Sequence, residues 1–450
     1  MSQIYKIRKG LDIVLKGPAT KELTDGLKPG LYGLKPADFR GLVPRLLVKE
    51  GDVVKAGTPL FADKDREVIR FVSPVSGTVK AVNRGERRVI LEVVVESDGR
   101  QESESFPVAD PLSLSTEEIK ERLLQCGLWP ALRQRPFDVV ANPETQPKAI
   151  FVSAFDTAPL AADTDFVTAG SEADFQTGLG ALTKLTSGKV HVNIDEKRNT
   201  LPVWSALKQV QVNRFSGPHP AGNISVQVQR IDPINKGEVI WYVTPQHVTA
   251  IGRLFSAGVY DAIRKVAITG SEVKHPAYVK VFAGAQVQAL TGGNLTEEKK
   301  RFVSGNPLTG TRIPADGFLG FYDTQLTVLP EGDQPEFLGW ALPGFDKYSV
   351  SRSFWSWLRP GRPWTLDTNL HGGHRPFVIT GLYEKVFPLN IYPMQLLKAI
   401  LAEDVEMMEK LGIYEVAEED FALCEFVDPS KTEMQALVRK GMDLMMKELS

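Results

Sequence analysis

The sequence predicts a multidomain protein of mixed α/β and α+β class, and three observations support this prediction. Its 450 residues correspond to about three domains at roughly 150 residues each. The first hundred residues alternate short apolar runs with Gly and Pro turns, and strand and helix patterns alternate after them. Helical patterns then dominate near the C-terminus. We therefore expect an all-β domain, an α/β domain and a helical region, in that order.

The N-terminal region has the pattern of a small β-barrel or sandwich. An apolar run at 42–48 leads into a turn at 49–52, and further strands are predicted at 78–82 and 89–95. Short strands at this close spacing, separated by Gly and Pro turns, are typical of such all-β domains.

An α/β domain is predicted next, because strand and helix signals alternate after the all-β region. Ser115 and Glu118 match a capping box, and Gly127 stands where the C-terminal cap of that first helix belongs. Further strands are predicted at 149–152, 189–194 and 239–243, and further helices at 175–185 and 246–257. Alternation of this kind is typical of a sheet covered by helices.

The last part of the chain is predicted to be irregular at first and helical at its end. The stretch 331–376 is rich in Pro, Gly and Trp, and Pro and Gly interrupt regular elements. One helix is expected at 394–411, where Pro393 starts it and Gly412 ends it, and a second helix is expected at 432–449.

Composition and charge exclude several classes of protein. Lys and Arg number 53 against 55 Asp and Glu, a net charge of −2, which excludes a globally basic nucleic-acid binder. The two cysteines, Cys126 and Cys424, are too few for a disulfide framework or an iron–sulfur centre. The longest apolar run, 239–243, is far shorter than the roughly 20 residues of a spanning helix. We expect a cytoplasmic protein that reaches a membrane only through partners.

No motif of a self-sufficient catalytic site occurs in the sequence. Walker A, G-x-S-x-G and H-E-x-x-H patterns are all absent. Gly178 and Gly180 lack the third glycine of a dinucleotide fingerprint and lie in a helical pattern, which favours close helix packing. The acidic run 418–420 is interpreted as the start of a helical turn. We therefore predict no catalytic residue, no metal site and no enzymatic activity for the chain alone.

Two groups of residues are candidates for binding. The densest polar cluster contains His371, His374 and Arg375. A Gly-rich turn is the favoured interpretation, a contact to an anion or quinone carbonyl is the second, and a metal site is the least favoured because two histidines do not complete a ligand set. The second group is rich in aromatic residues and arginine: Arg352, Phe354, Trp355, Trp357, Arg359, Arg362 and Trp364. Such a stretch fits a core, a membrane-facing rim or a partner surface, and the enrichment of these residues at interfaces favours the partner surface.

The segment 48–95 resembles the barrel-sandwich fold of lipoyl and biotinyl carriers. The residues at 50–60, E-G-D-x-V-x-x-G-x-P-L, are similar to the first half of that fold, and those at 73–79 to the second half. Carriers place the modified lysine eight residues before the proline that corresponds to Pro74, where this sequence has Arg66. A guanidinium stays protonated and cannot be acylated, so no carrier role is expected.

The order of the remaining parts resembles two respiratory proteins, the C subunit of the Rnf complex and the flavin-bearing NADH subunit of complex I. The segments 244–248, 266–270 and 305–310 follow the pattern of these relatives. The resemblance implies a Rossmann-like α/β domain followed by a β-grasp-like (SLBB) domain. Those relatives have a Gly-rich flavin loop where this chain has 126–133, with one glycine, and Cys clusters where only Cys424 remains.

A chain of this architecture without flavin loop or cluster cysteines resembles the A-subunit family of sodium-translocating NADH:quinone reductases. The specific matches are at 9–12, 153–162, 349–354 and 419–424. The resemblance implies a barrel-sandwich hybrid domain at 1–105, a degenerate Rossmann-like domain at 106–258, a β-grasp-like (SLBB) domain at 259–330 and an irregular, then helical, part at 331–450.

The same resemblance implies a peripheral location, on the cytoplasmic face of the bacterial inner membrane, in a complex with five other subunits, B to F. That complex reduces quinone with NADH and exports sodium. NADH, FAD, FMN, riboflavin and iron–sulfur centres are expected on the other subunits and none on this chain. The candidates for quinone contact are Trp355, Trp357, His371, His374 and Arg375, and those for partner docking are Arg352, Phe354 and Trp364.

Two other functions stay open at this point. The chain could be a purely structural scaffold, in which the fold of a flavoprotein ancestor serves only as a docking platform. It could also be an NADH-oxidising flavoprotein of the Rnf C-subunit type, which flavin absorbance of the purified protein would reveal.

Overall fold

The computed structural model describes residues 4–24, 28–333, 336, 338–359 and 361–449. Its strands are β1 Ile4–Lys6, β2 Thr20–Thr24, β3 Leu31–Leu34, β4 Pro44–Leu46, β5 Val53–Val54, β6 Pro59–Asp63, β7 Arg70–Val72, β8 Gly77–Arg84, β9 Ile90–Ser97, β10 Arg133–Arg135, β11 Val139–Val140, β12 Ala149–Ser153, β13 Lys189–Asp195, β14 Gln211–Ser216, β15 Ile240–Val243, β16 Ile263–Thr269, β17 Ala277–Phe282, β18 Lys300–Ser304, β19 Thr311–Ile313 and β20 Gln325–Pro330.

The α-helices are α1 Thr116–Cys126, α2 Thr164–Thr168, α3 Glu172–Thr183, α4 Val203–Ala206, α5 Ile224–Ile231, α6 Pro245–Ala257, α7 Val287–Thr291, α8 Tyr383–Val386, α9 Pro393–Leu401, α10 Val405–Lys410, α11 Ala422–Val427 and α12 Met434–Leu449. The predicted capping box is present at the start of α1, and Gly127 ends this helix with a φ of +77°. Gly258 ends α6 in the same left-handed conformation.

The α/β domain is built on a seven-stranded sheet in the order β1-β14-β13-β12-β15-β10-β11. Five neighbouring strands of this sheet are parallel: β1, β14, β13, β12 and β15. Strands β10 and β11 extend the sheet beside β15 in antiparallel fashion. Helices α3 and α6 cover one face through residues such as Leu179 and Val248. Helix α5 covers the other face through Ile224 and Val228. The predicted α/β domain is therefore confirmed as a doubly wound sheet with a switch in strand order between β12 and β15.

The predicted barrel sandwich is also confirmed. A four-stranded sheet, β3-β9-β8-β5, lies with a three-stranded sheet, β4-β6-β7, and their apolar side chains form one core. Leu60, Phe61 and Phe71 come from the smaller sheet, and Val79 and Val93 come from the larger one. Alternation of buried and exposed residues along β8 places its apolar face inward, as period-2 patterning requires.

A six-stranded sheet, β19-β18-β20-β16-β17-β2, forms the third part of the chain. Its edge strand β2 comes from the N-terminus and pairs with β17, while β1 joins the seven-stranded sheet beside β14. The first two strands thus hydrogen-bond outside the barrel sandwich, although the prediction assigned the whole of 1–105 to it. The exact boundaries of the four parts stay predictions.

The C-terminal region is helical as predicted, but the single helix expected at 394–411 is wrong. The chain forms α9 and α10 instead, with a break at 402–404. Glu403 has a φ of +54°, and the Asp404 carboxylate accepts a hydrogen bond of 2.9 Å from the backbone N–H of Met407. Asp404 therefore caps a new helix rather than continuing the old one, because an aspartate competes well for N-cap hydrogen bonds.

Candidate functional site

The carboxyl ends of β12 and β15 are where ligands bind in doubly wound sheets. Here the loop that contains Gly222 packs against the carboxyl end of β12. The Ser153 hydroxyl donates to the carbonyl oxygens of Phe155 at 3.0 Å and Gly222 at 3.2 Å. The backbone N–H of Gly222 donates to the Thr157 hydroxyl at 3.0 Å, and a Cβ on Gly222 would crowd that threonine. Glycine at 222 is thus required by a close approach of two loops.

His219 lies in this closing loop and is almost completely buried. Its Nδ1 is 3.1 Å from the Thr157 hydroxyl, and its backbone N–H donates to Asp12 at 2.9 Å. Burial lowers the pKa of His219 to about 4, so the ring is neutral near pH 7. These contacts hold His219 in place within its loop.

A line of buried amides crosses the sheet beneath the same edge. Asn213 donates to the ring of His191 at 3.2 Å and to the side-chain oxygen of Asn193 at 2.8 Å. Asn193 donates to Gln227 at 2.8 Å, and Gln227 donates to the Ser153 hydroxyl at 2.8 Å. Polar groups in the interior need such partners, so this line fixes the register of three strands and of α5 against them.

The loop after α1, where the resembling flavoproteins have a Gly-rich turn, is filled by side chains. Leu128 and Trp129 are fully buried. The Trp129 indole N–H donates to the Ala141 carbonyl at 2.7 Å, and its ring lies edge-on to Trp241 at 5.4 Å. A Cβ on Gly127 would overlap the side chain of Val72. The loop therefore packs as core and leaves its backbone amides no open approach.

An ionic cluster that sequence reasoning missed lies at the edge of the sheet beside the C-terminal helices. Asp138 accepts hydrogen bonds from Arg133 and from the Tyr242 hydroxyl. Burial alone would raise the pKa of Asp138, but Arg133 and Arg135 hold it below its usual value. Arg135 also pairs with Glu419, in the acidic turn 418–421. The only signal in the sequence is the alternating Arg-Gln-Arg of β10, which a surface strand shows equally well.

The predicted aromatic and arginine group is exposed in part. Trp355 and Trp357 lie on a single 3-10 turn and are 58% and 53% exposed. Phe354 is half-buried, with the Lys347 ammonium 5.5 Å from its ring centre, and Arg352 is exposed. Trp364 packs edge-on against Tyr348 at 5.5 Å and carries the Arg362 guanidinium over its face at 4.4 Å. Arg352, Trp355 and Trp357 are therefore accessible to solvent, whereas Phe354 and Trp364 are half-buried. Trp364 also packs against the hydrophobic core of the C-terminal region.

The histidine group is exposed as well. His371 Nε2 lies 2.8 Å from Asp367 Oδ1, a partner that sequence reasoning overlooked. His374 Nδ1 lies 3.1 Å from the backbone carbonyl of Lys431, and the Arg375 N–H donates to the Ser430 carbonyl at 3.0 Å. The turn at 371–375 is thus tied to the turn before α12. No hydrogen bond or ring contact joins it to Trp355 or Trp357 in the part of the chain that the structure describes.

Within the described ranges, no cluster of three or more His, Cys, Asp or Glu is arranged to hold a metal ion. Among the helices that the structure describes, none has the length and apolar character needed to cross a bilayer.

A barrel sandwich, a doubly wound sheet and a six-stranded mixed sheet therefore define a multidomain α/β protein without a complete catalytic motif. Three family models match: "NqrA N-terminal barrel-sandwich hybrid domain" at residues 5–98, "NqrA second alpha/beta domain" at 114–260 and "NQRA C-terminal domain" at 265–315. The chain belongs to the NqrA family, the A subunits of Na(+)-translocating NADH-quinone reductases.

Relatives of that name match over nearly the whole chain. The protein from Yersinia pestis bv. Antiqua (strain Angola) is 40% identical over 445 residues, which covers 97% of this chain and 98% of the relative. The protein from Hahella chejuensis (strain KCTC 2396) is 40% identical over 450 residues, covering 99% and 100%. The protein from Pasteurella multocida (strain Pm70) is 37% identical over 446 residues, covering 98% and 99%. The predicted family is confirmed.

Proposed function

We propose that this chain is a peripheral component on the cytoplasmic face of a sodium-exporting NADH:quinone reductase, where it docks to the membrane subunits and contributes to quinone binding. The observation that carries this proposal is a concentration of exposed apolar side chains in one segment. Among the described side chains of residues 338–379, ten large hydrophobic ones are more than two-fifths exposed: Leu338, Leu342, Phe345, Val350, Trp355, Trp357, Leu358, Leu370, Val378 and Ile379.

Exposed apolar side chains concentrated in this way are characteristic of interaction surfaces. The charges of the segment also fit an interaction surface. Lys347, Arg352, Arg359, Arg362 and Arg375 stand against Asp346 and Asp367, an excess of three positive charges. We name residues 338–379 the docking segment. Its Trp and Arg side chains are of the types that carry most of the binding energy in protein interfaces.

Quinone contact rests on the chemistry of the same segment. A quinone head group needs flat apolar walls and one or two donors to its carbonyl oxygens. Trp355 and Trp357 offer the walls, and His371, His374 and Arg375 offer the donors. Because these side chains are exposed in the isolated chain, a quinone pocket here would be completed by a partner protein of the complex.

Redox cofactors are assigned to the other subunits, B to F. This assignment is supported by the loop around Trp129, which is filled by buried side chains, and by the loop at Gly222, which packs against the end of β12. Electrons would pass from NADH through flavins and iron–sulfur centres of those subunits, and this chain would take no covalent part.

The first experiment is affinity purification of the tagged full-length chain from gently solubilised membranes. The eluate is assayed for NADH-driven quinone reduction with and without sodium. Sodium-stimulated activity in the presence of membrane subunits is the expected result. Recovery of the chain alone, without activity, would contradict membership in a functional complex.

A second experiment tests the docking segment. The double variant W355A/W357A should fold normally but recover less of the membrane subunits, whereas the control Y392A should recover the normal amount. Tyr392 is also exposed but lies outside the segment. Equal recovery by both variants would place docking elsewhere.

A docking role without quinone binding is the second candidate, and it is favoured by the exposure of all five quinone candidates. Quinone affinity of the purified complex with W357A or H374A distinguishes the two. Weaker affinity with intact assembly supports quinone contact by these residues. Unchanged affinity removes them from the site and leaves the scaffold role.

A further inference from the structure

The hairpin turn between β8 and β9 of the barrel sandwich carries three exposed arginines. We name residues 84–91 the basic turn. Arg84, Arg87 and Arg88 lie in it, and Glu86 is its one acidic residue, so three positive charges stand against one negative charge. Among the residues that the structure describes, no carboxylate forms an ion pair with any of the three guanidiniums. The charge of the basic turn is therefore available to a partner.

Hydrogen bonds hold the basic turn in one compact arrangement. The backbone N–H of Gly85 donates to the Val89 carbonyl at 2.9 Å, and the backbone N–H of Val89 donates to the Glu86 carbonyl at 3.2 Å. Nη1 of Arg84 donates to the carbonyl of Arg88 at 3.2 Å. The Arg84 guanidinium therefore lies beside the backbone of Arg88, and the positive charges form one group.

The backbone at two of the arginines is strained. Arg87 has a φ of +53° and Arg88 a φ of +63°, both in the left-handed region. This region favours Gly, Asn or Asp, and a larger side chain there costs free energy. Folding of the turn would thus favour other residues at 87 and 88. Strain of this kind is typical of positions whose side chains have a function.

Two exposed apolar side chains lie next to the arginines. Val89 is 58% exposed and Leu91 is 51% exposed. Ile90 between them is buried in the core, and side chains alternate along an extended chain, so Val89 and Leu91 face outward together. A Cβ on Gly85 would lie 3.1 Å from a terminal carbon of Leu91, which places this side chain against the turn itself.

A group of arginines beside two apolar side chains suits an anionic lipid surface better than a protein surface. A stable protein interface buries roughly 800 Å² on each partner, far more than two apolar side chains supply. A bilayer requires no shape complementarity. Its phosphate oxygens accept hydrogen bonds from guanidinium groups, and apolar side chains enter the boundary between headgroups and acyl chains.

We propose that the basic turn binds the headgroups of anionic phospholipids. Its three guanidiniums contact phosphates, and Val89 and Leu91 enter the boundary with the acyl chains. Each arginine near an anionic surface raises the partition coefficient about fivefold, so the three together contribute on the order of 100-fold. The proposal does not rest on the role in quinone reduction, because the contact requires only this chain and lipid.

The first test is flotation of the purified full chain with lipid vesicles. Vesicles of phosphatidylglycerol and phosphatidylethanolamine should carry the protein with them, and vesicles of phosphatidylcholine should not. Binding should weaken as the salt concentration rises, because salt screens exposed charges. The variant R84Q/R87Q/R88Q should bind on the order of 100-fold more weakly than the wild-type protein.

The control for this test is K189Q/K208Q/K274Q, which removes the same number of positive charges from exposed positions elsewhere. It should keep most of the binding. Equal weakening in the two variants would mean that net charge alone attracts the protein. Unchanged binding in the arginine variant would assign it to another surface, such as the docking segment. Either result would overturn the proposal.

The second test reports on the apolar side of the basic turn. Cys126 and Cys424 are both buried, so an environment-sensitive fluorophore can be attached selectively to V89C. Its emission should shift to the blue on anionic vesicles, and the same label on S205C, at an exposed position of α4, should not shift. No shift at V89C on vesicles that carry the protein would contradict insertion.

An acidic protein partner is the competing explanation, and recovery of membrane subunits distinguishes it. The wild-type chain would then fail to bind anionic vesicles, while R84Q/R87Q/R88Q would recover fewer membrane subunits from solubilised membranes. That pair of results would overturn lipid binding and leave the proposed docking role intact. Normal recovery together with lost vesicle binding in this variant is the result that we expect.

Discussion

Arg135 and Glu419 are joined by a hydrogen bond of 2.8 Å from Nη2 of the arginine to Oε1 of the glutamate, although 284 residues separate them along the chain. Arg135 lies on the edge strand β10, and Glu419 lies in the turn before α11. The guanidinium also lies 5.3 Å from the ring centre of Tyr242. This contact ties the C-terminal helices to the α/β sheet, so the two parts depend on each other for stability.

The first prediction is that R135M lowers the free energy of unfolding by about 3 kcal/mol, the lower end of the range for breaking a buried pair, because Glu419 is partly exposed. Urea unfolding of the full chain measures the change. R45M is the matched control: Arg45 pairs with Glu67 on the surface, where both side chains are more than half exposed. We expect about 0–1 kcal/mol there. A loss of equal size in the two variants would argue against a stabilising role for the interior contact.

The second prediction concerns pH and His191. Burial lowers the pKa of His191 to about 4, and the ring accepts a hydrogen bond from Asn213. The unfolded chain binds a proton near pH 6.5, which the folded ring does not bind until about pH 4. The contribution to stability is therefore complete above pH 6.5 and is lost as the pH falls toward 4. H191Q should flatten this part of the stability profile, measured by urea unfolding at a series of pH values.

The control for that measurement is H374Q, at an exposed position. It should leave the slope of stability against pH unchanged. A slope that is the same in the wild-type protein and in H191Q would mean that other groups, such as the buried His219, account for the acid sensitivity.

Features encoded by a few adjacent residues were predicted well from the sequence. Ser115, Glu118 and Gly127 marked the two ends of α1 because capping depends on local hydrogen bonds. The helical interpretation of Gly178 was also correct, since this residue lies in α3. The break after α9 was missed, because Asp404 can continue a helix or cap a new one.

Features that depend on residues far apart in the chain were not predictable in this way. Strands β1 and β2 pair with β14 and β17, and nothing in their own short sequences indicates which sheet they join. Nothing in the sequence around Arg135 or Glu419 indicates that they pair, and only the fold brings them together.

The third prediction tests the contact between α3 and α6. A Cβ on Gly252 would overlap the backbone carbonyl oxygen of Asp174, so the two helices would have to move apart. G252A should cost about 1–3 kcal/mol. G180A is the control within α3, because its new methyl group would meet Leu112 at an ordinary 3.4 Å. We expect that variant to be neutral or to gain up to about 1 kcal/mol from the better helix propensity of alanine. Similar losses in both variants would show that close approach is not what selects glycine at 252.

The last prediction is that the buried loop around Trp129 stabilises the fold and does not bind flavin. Trp129 is fully buried in the loop where a flavin phosphate would be held, and its indole N–H is bonded to Ala141. W129A should therefore cost about 3–5 kcal/mol, as for other buried tryptophans, whereas W355A, at an exposed position, should cost much less. The wild-type chain, incubated with FMN or FAD and then desalted, should remain colourless because the core occupies the loop. Retained flavin absorbance in the wild-type protein would contradict this and would favour the alternative of an NADH-oxidising flavoprotein. An equally small loss of stability in W129A and W355A would contradict the role of Trp129 in the core.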